Sequence, residues 1–287
     1  MEAIAASMQQ FFAGWWQVLL VVFAYVAAMG LLEAWRPAER GQPWRLRLEN
    51  LHYGVWAQGI NLALTPWLAA FAVSVVRDAW PGLVQLTDAT PAAARGAALV
   101  AYFVAADVFY YWAHRWQHES PLLWRTHRLH HSDTALNAST TLRTHWLEEP
   151  VKLLVITVPV HLLFEVPPAV TGLMGILVGA WLFLIHANVR IGFGRIGHWL
   201  LVSPQVHRIH HSRLPQHRDR NYALFFPFID RVFGSWYEPR PDEYPPTGLT
   251  DGGRYDGVWR GLLSPFRAPA ADALPAPVAA ATPLRAE

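Results

Sequence analysis

Eight histidines fall into three runs whose spacing could do chemistry: His114 and His118, then His127, His130 and His131, then His207, His210 and His211. Residues three and four apart share a face of an α-helix, so each run can aim several imidazoles at a common point. Imidazole is a common metal ligand near neutral pH, and no apolar core calls for eight of them in this arrangement. A pair of metal ions is the economical reading. The chain has no cysteine, which removes thiolates, disulfides and iron–sulfur clusters and leaves histidine and carboxylate as ligands. Ligation by neutral histidine leaves a divalent ion with its full charge and with open positions. That suits iron handling dioxygen better than a closed structural zinc site.

The elements that must position these residues read as membrane helices. Hydrophobic residues make up 53% of the 287, charged residues only 15%, and 15 are tryptophan; mean hydropathy is +0.16. Such a chain is too apolar and too aromatic for an ordinary soluble enzyme. The net charge is only +2 and the arginines are dispersed, so no nucleic-acid partner is expected. Apolar stretches predict spans near residues 11–32, 51–76, 96–113, 151–164 and 169–185. The first lacks a basic leader and a small-residue cleavage site and reads as a retained helix rather than a signal peptide. Asn61 and Pro66 predict a kink or a helical pair in the second, and Glu165 to Pro168 a tight turn between the last two. The expected fold is an all-α integral membrane helical bundle of about four or five spans.

Arg36, Arg40, Arg45 and Arg47 mark the loop after the first span as cytoplasmic. Counting crossings onward puts residues 114–149 and everything after His186 on that same side. All three runs then form a cytoplasmic histidine-rich helical cap just below the bilayer, where substrates are apolar and the expected reaction is oxidation of a lipid. Residues 1–238 read as one membrane-embedded domain. Residues 239–287 form a Pro/Ala-rich tail whose last part, 268–287, has too little bulky apolar content to pack.

Between Asp107 and Trp236 the chain carries, in order, Asp107-Val-Phe-Tyr-Tyr-Trp-Ala-His-Arg leading to His118, then His127-Arg-Leu-His-His-Ser, His207-Arg-Ile-His-His-Ser, Asn221-Tyr and Asp230-Arg-Val-Phe-Gly. This ordered set resembles the fatty acid hydroxylase and sterol desaturase superfamily of membrane di-iron enzymes. The resemblance implies two iron ions held by the histidines, dioxygen as co-substrate, and hydroxylation or desaturation of a lipid: a sterol, fatty acyl chain, ether lipid or aminolipid. It implies electrons from a separate cytochrome, ferredoxin or pterin-type donor, and a place in a bacterial inner membrane. Carried over position by position, the eight histidines match the ligand motifs, and His186 in Leu-Ile-His-Ala-Asn sits where the superfamily adds a ninth. Some members place a further histidine four residues later. Here that position is Arg190, which leaves one metal with lower coordination or with water.

Asp107 lies within an apolar span, four residues from Tyr111 and seven from His114, on one helical face. A buried carboxylate in a bilayer needs a partner, and donation from a ligand imidazole is the natural one. Glu119, next to His118, is a further candidate for that duty or for proton delivery. His145 is open between supporting the site, facing substrate and a structural role. Arg115, Arg128 and Arg208 are expected to pair with carboxylates, and Trp112, Trp116 and Trp124 to anchor the membrane interface. Two other classes stay open. A membrane zinc hydrolase usually carries a carboxylate base inside its motif, as in H-E-x2-H, which is absent. A non-catalytic metal-binding or transport protein would run polar residues through the spans, where Asp107 stands out alone.

Overall fold

A computed structural model describes residues 2–80, 82–85, 90–255 and 257–267; the disorder expected for 268–287 lies outside the described residues. Among the described residues the α-helices are α1 (Glu2–Trp35), α2 (Trp44–Ala79), α3 (Ala92–Glu119), α4 (Pro121–His131), α5 (Glu148–Lys152), α6 (Val158–Leu163), α7 (Pro168–His186), α8 (Gly194–Leu200), α9 (Pro204–His210), α10 (Pro227–Val232) and α11 (Val258–Leu263). Among the described residues strand is confined to the parallel pair β1 (Val84–Gln85) and β2 (Phe164–Glu165).

Among the described residues, three stretches are long and apolar enough to cross a membrane: Phe12–Trp35, Ala92–Glu119 and Ala169–His186. Only 11%, 11% and 17% of their most apolar windows is buried by the rest of the chain, so their side chains face outward, as lipid-contacting helices require. The other two expected spans take different forms. α2 runs through Asn61 and Pro66 as one continuous helix, not a pair. The 151–164 stretch is broken into α5, a π-turn over Leu153–Thr157, and α6. Pro159 has no N–H to continue an α-ladder there, and the Val158 N–H reaches back to Leu153 O instead.

α3 positions the centre. Its 28 residues extend roughly 42 Å at 1.5 Å per residue, about two turns more than the ~30 Å hydrocarbon core. Those surplus turns carry His114 and His118. α1 packs on α7 through the stacked rings of Tyr25 and Phe183, 5.3 Å apart, with Gly179 against the Tyr25 ring. The core around the cap joins Tyr111, Ile185, Val202, Val206, Ile229 and the run Tyr222–Phe225. Buried Arg143 ties α2 to the end of α4, donating to Leu129 O, Ser132 Oγ, Glu49 and Asn50.

Residues 239–267, which composition groups with the tail, fold back over the cap. Gln205 Nε2 donates to Arg240 O (2.8 Å), Arg208 Nε to Pro245 O (2.9 Å), and Gly248 N to His211 O (3.2 Å). Gly248 has φ +119° and sits against Thr134, a position a side chain would not fit. α11 then buries Leu262 against Tyr53 and Leu129.

Candidate metal centre

Two short helices begin alike and deliver most of the histidines. Ser120 caps α4 and Ser203 caps α9, each accepting from the amide three residues on and each followed by proline at the first helical position. α3 adds His114 and His118 from its last turns, and α7 ends on His186. The structure brings all nine histidines into two adjoining groups. His114, His118, His127, His131 and His210 form one; His130, His186, His207 and His211 form the other. Within a group the offered nitrogens all lie within 4.8 Å of one another. α4 and α9 each serve both groups because consecutive helical residues point about 100° apart. The groups meet where the His131 and His211 rings stack at 4.4 Å.

Outer partners decide which nitrogen faces inward. Nδ1 of His114 donates to Tyr222 O (2.8 Å), that of His186 to Leu182 O (2.7 Å), and that of His210 to Arg220 O (2.8 Å). A backbone carbonyl only accepts, so these rings carry their proton on Nδ1 and present a bare Nε2 to the interior. His127 Nδ1 meets Glu148 Oε2 at 3.1 Å, and His118 Nδ1 lies 3.6 Å from Asp219 Oδ1. Nε2 of His118, His210 and His211 and Nδ1 of His130 and His207 are buried without a hydrogen-bond partner. Such orphaned nitrogens are costly unless something else satisfies them.

The remaining contacts point the same way. Nε2 of His186 lies 3.0 Å from Nε2 of His130 and 2.9 Å from that of His207, and the two Nε2 atoms of His127 and His131 are 3.2 Å apart. Donors at neighbouring positions around one ion, with bonds of about 2.1 Å, sit about 3.0 Å apart. Burial, and then the repulsion an imidazolium would meet from its neighbours, hold His130, His131, His207, His210 and His211 well below the usual imidazole range. They are neutral donors at physiological pH, and the set fits a pair of metal ions.

The supporting carboxylates differ from those expected. Asp107 takes no imidazole proton. Its oxygens accept the amides of Leu224 (2.9 Å), Phe225 (3.0 Å) and Phe226 (2.7 Å), while Asp230 accepts those of Tyr222 (2.7 Å) and Ala223 (3.0 Å). Two carboxylates thereby hold five consecutive amides of the loop whose Tyr222 carbonyl orients His114. Glu119 is half exposed and pairs with Arg115 at 2.8 Å, away from the histidines. His145 is fully buried, but its Nε2 donates to Leu262 O and its Nδ1 accepts from Leu147 N, so it locks α11 rather than facing the centre.

Sequence reasoning passed over Glu148 and Asp219. Glu148 Oε2 accepts from His127 Nδ1 and from Gln117 Nε2 (3.0 Å), and Oε1 from His145 N (3.2 Å). The Glu148-Glu149-Pro150 start of a helix was a legible signal, but nothing local says which glutamate turns inward. Asp219 and Asn221 both adopt left-handed backbone, φ +58°, which Asp and Asn tolerate better than bulkier residues. Of the expected aromatic anchors, Trp124 instead packs on the His118 and His131 rings at 5.2 and 5.7 Å. Arg115, Arg128 and Arg208 pair with Glu119, Asp251 and Glu39. Arg190 lies near Asp242 and stacks on Tyr244, outside both groups.

Helices apolar enough to enter a bilayer, closing on a buried all-histidine cage, define a helical membrane-type protein with a candidate two-metal centre. Residues 99–235, just under half of the chain, match the fatty acid hydroxylase family model. It is similar to alkylglycerol monooxygenase of Xenopus tropicalis (32% identical over 134 residues, 47% of this chain and 29% of that protein). It is also similar to an ornithine lipid hydroxylase of Rhizobium tropici (28% over 270 residues, 89% and 75%) and to a Delta(7)-sterol 5(6)-desaturase of Gibberella zeae (29% over 149 residues, 50% and 42%). The chain spans under a third of the length of the alkylglycerol monooxygenases it matches. No solved structure matches it.

Proposed function

We propose that this protein is a membrane di-iron oxidoreductase that uses dioxygen to hydroxylate a lipid. The observation that carries the proposal is the nitrogen accounting: nine buried imidazoles in two groups, five of them with an outer Nδ1 facing a carbonyl or a carboxylate, and ring nitrogens left orphaned or crowded to about 3 Å. His114, His118, His127, His131 and His210 hold one iron, and His130, His186, His207 and His211 the other. When bound, the iron pair supplies activation of dioxygen, with one oxygen atom entering a C–H bond and the other leaving as water. The two electrons come from a separate donor of cytochrome, ferredoxin or pterin type.

The chain's own part is positional. Glu148 and Asp219 increase the donor strength of His127 and His118 and place negative charge beside a neutral ligand set. The loop clamped by Asp107 and Asp230 fixes the His114 and His210 rings through the Tyr222 and Arg220 carbonyls. The centre lies at the cytoplasmic face of a bacterial inner membrane, where a lipid chain reaches it from the bilayer. Hydroxylation is favoured over desaturation because the relative that aligns with 89% of this chain is an ornithine lipid hydroxylase.

A zinc hydrolase is disfavoured by the same geometry. The carboxylates that touch the histidines meet their outer Nδ1 atoms, so none stands inside as a base. The deciding experiment supplies 18O2 to cells expressing the protein and counts iron per purified chain. The proposal requires iron at both groups and 18O in a hydroxylated lipid. A zinc-filled centre with a lipid product free of 18O would refute it.

A further inference from the structure

Beside the joined ends of α1 and α7 the chain lines an open cavity of about 570 Å³. The two helix ends are joined by Arg190 N to Arg36 O (2.8 Å) and Ala38 N to Asn188 O (3.2 Å), so the cavity sits at the same depth as the histidine cap. Its lining includes Arg36, Arg190, Arg195 and Arg240, with Glu238 and Asp242 as countercharges. Glu238 is committed to His198 (2.8 Å), Arg231 (2.8 Å) and Trp236 (3.0 Å), and Asp242 is largely solvated and only approaches Arg190 at 3.5 Å. The cavity is therefore net cationic, and His198, which is buried, lines it with an Nε2 that has no partner.

We propose that this cavity binds the phosphate of an anionic membrane lipid headgroup. Guanidinium forks match phosphate oxygens. The surroundings favour a lipid over free phosphate. α8, which carries Arg195 and His198, exposes Ile196 (79%), Trp199 (58%) and Leu200 (61%), and Arg231 stacks on Trp199 at 4.0 Å. Trp35 at the end of α1 is likewise exposed. An apolar and aromatic rim beside a pocket of arginines is the arrangement of an interfacial headgroup site. Gln205 shapes it by holding the carbonyls of Arg240, Pro241 and Glu243, and it crowds Gly192 so closely that a side chain there would collide with it. The site stands apart from the nine histidines and does not depend on the reaction assigned to them.

The test is native mass spectrometry of the full chain in detergent, offered equal phosphatidylglycerol and phosphatidylcholine. Phosphatidylglycerol binds preferentially, and Arg195→Gln with Arg240→Gln lowers that preference about 30-fold, from about 1 kcal/mol per arginine near an anionic lipid. Arg254→Gln with Arg260→Gln removes the same charge elsewhere and leaves the preference within about twofold. Iron content, read in parallel, stays at the wild-type value in both double variants. Three results overturn the proposal: no preference for phosphatidylglycerol, an equal loss in the two double variants, or displacement of the lipid by excess inorganic phosphate.

Discussion

Glu148→Gln isolates the carboxylate that supports His127. Burial alone would raise the Glu148 carboxyl, but its contact with His127 Nδ1, with Lys152 beyond it, holds it below the usual carboxylate range. The native residue is therefore an acceptor on both oxygens. Oε2 takes His127 Nδ1 and Gln117 Nε2, and Oε1 takes His145 N, in a site 1% exposed. Glutamine keeps the shape but offers one acceptor and one NH2, so either orientation aims a donor at a buried donor. That costs about 1–3 kcal/mol of folding free energy. Loss of the partner that orients a ligand histidine weakens metal binding about 10–100-fold. The assay is chelator titration of the iron-loaded protein beside thermal unfolding of the metal-free chain, with Glu149→Gln as control because Glu149 is half exposed and pairs only with Lys152. Glu148→Gln should release iron first from the five-histidine group. Release indistinguishable from Glu149→Gln would refute the role assigned to Glu148.

Asp107→Ala strips the acceptor from three buried amides and should destabilise the fold by about 3–5 kcal/mol, with Asp107→Asn recovering part of it; denaturant unfolding in detergent measures both. His118→Ala and His207→Ala each remove a ligand from a different group, so each should lose one of the two ions and both should lose lipid oxidation, as read by metal analysis and product assay. Burial alone would raise the Glu243 carboxyl, but the Arg240 amide, the Tyr237 hydroxyl and His217 bring it below its ordinary value. A depressed acid contributes stability above its unfolded pKa and loses it as pH falls through the folded one. Wild type should therefore lose thermal stability below about pH 4.5 more steeply than Glu243→Gln.

Much of this centre was legible because a ligand must face inward at a fixed helical phase. His127 and His131, four apart, share a group, and His130 between them turns to the other, as the period of the helix requires. The all-helical character was legible for the same reason. The spans were less so. The 51–76 and 151–164 stretches are apolar, yet one is part of a helix bearing Arg45, Arg47 and Glu49 in its first turns and the other is interrupted by a π-turn ahead of Pro159. Hydropathy reports composition, not whether backbone hydrogen bonds run unbroken across a bilayer.

The supporting carboxylates were the least legible part, for a physical reason that Asp107 shows. A buried acid on the same helical face as His114 satisfies every sequence-level condition for binding that imidazole. Yet His114 Nδ1 is already taken by the Tyr222 carbonyl, and the loop bearing that carbonyl exposes a row of amides that must be paired. Asp107 and Asp230 supply the pairing from two different helices. Arg115 and Tyr111 extend it, Arg115 donating to the Tyr111 hydroxyl (3.0 Å), which reaches Ser235 (2.8 Å) and through it Asp230 (2.7 Å). Asp107 thus acts on the histidines through backbone more than 110 residues away in sequence. No periodicity within one helix encodes such a path. It also accounts for why Asn221-Tyr222 and Asp230, remote from every histidine run, belong to the same centre.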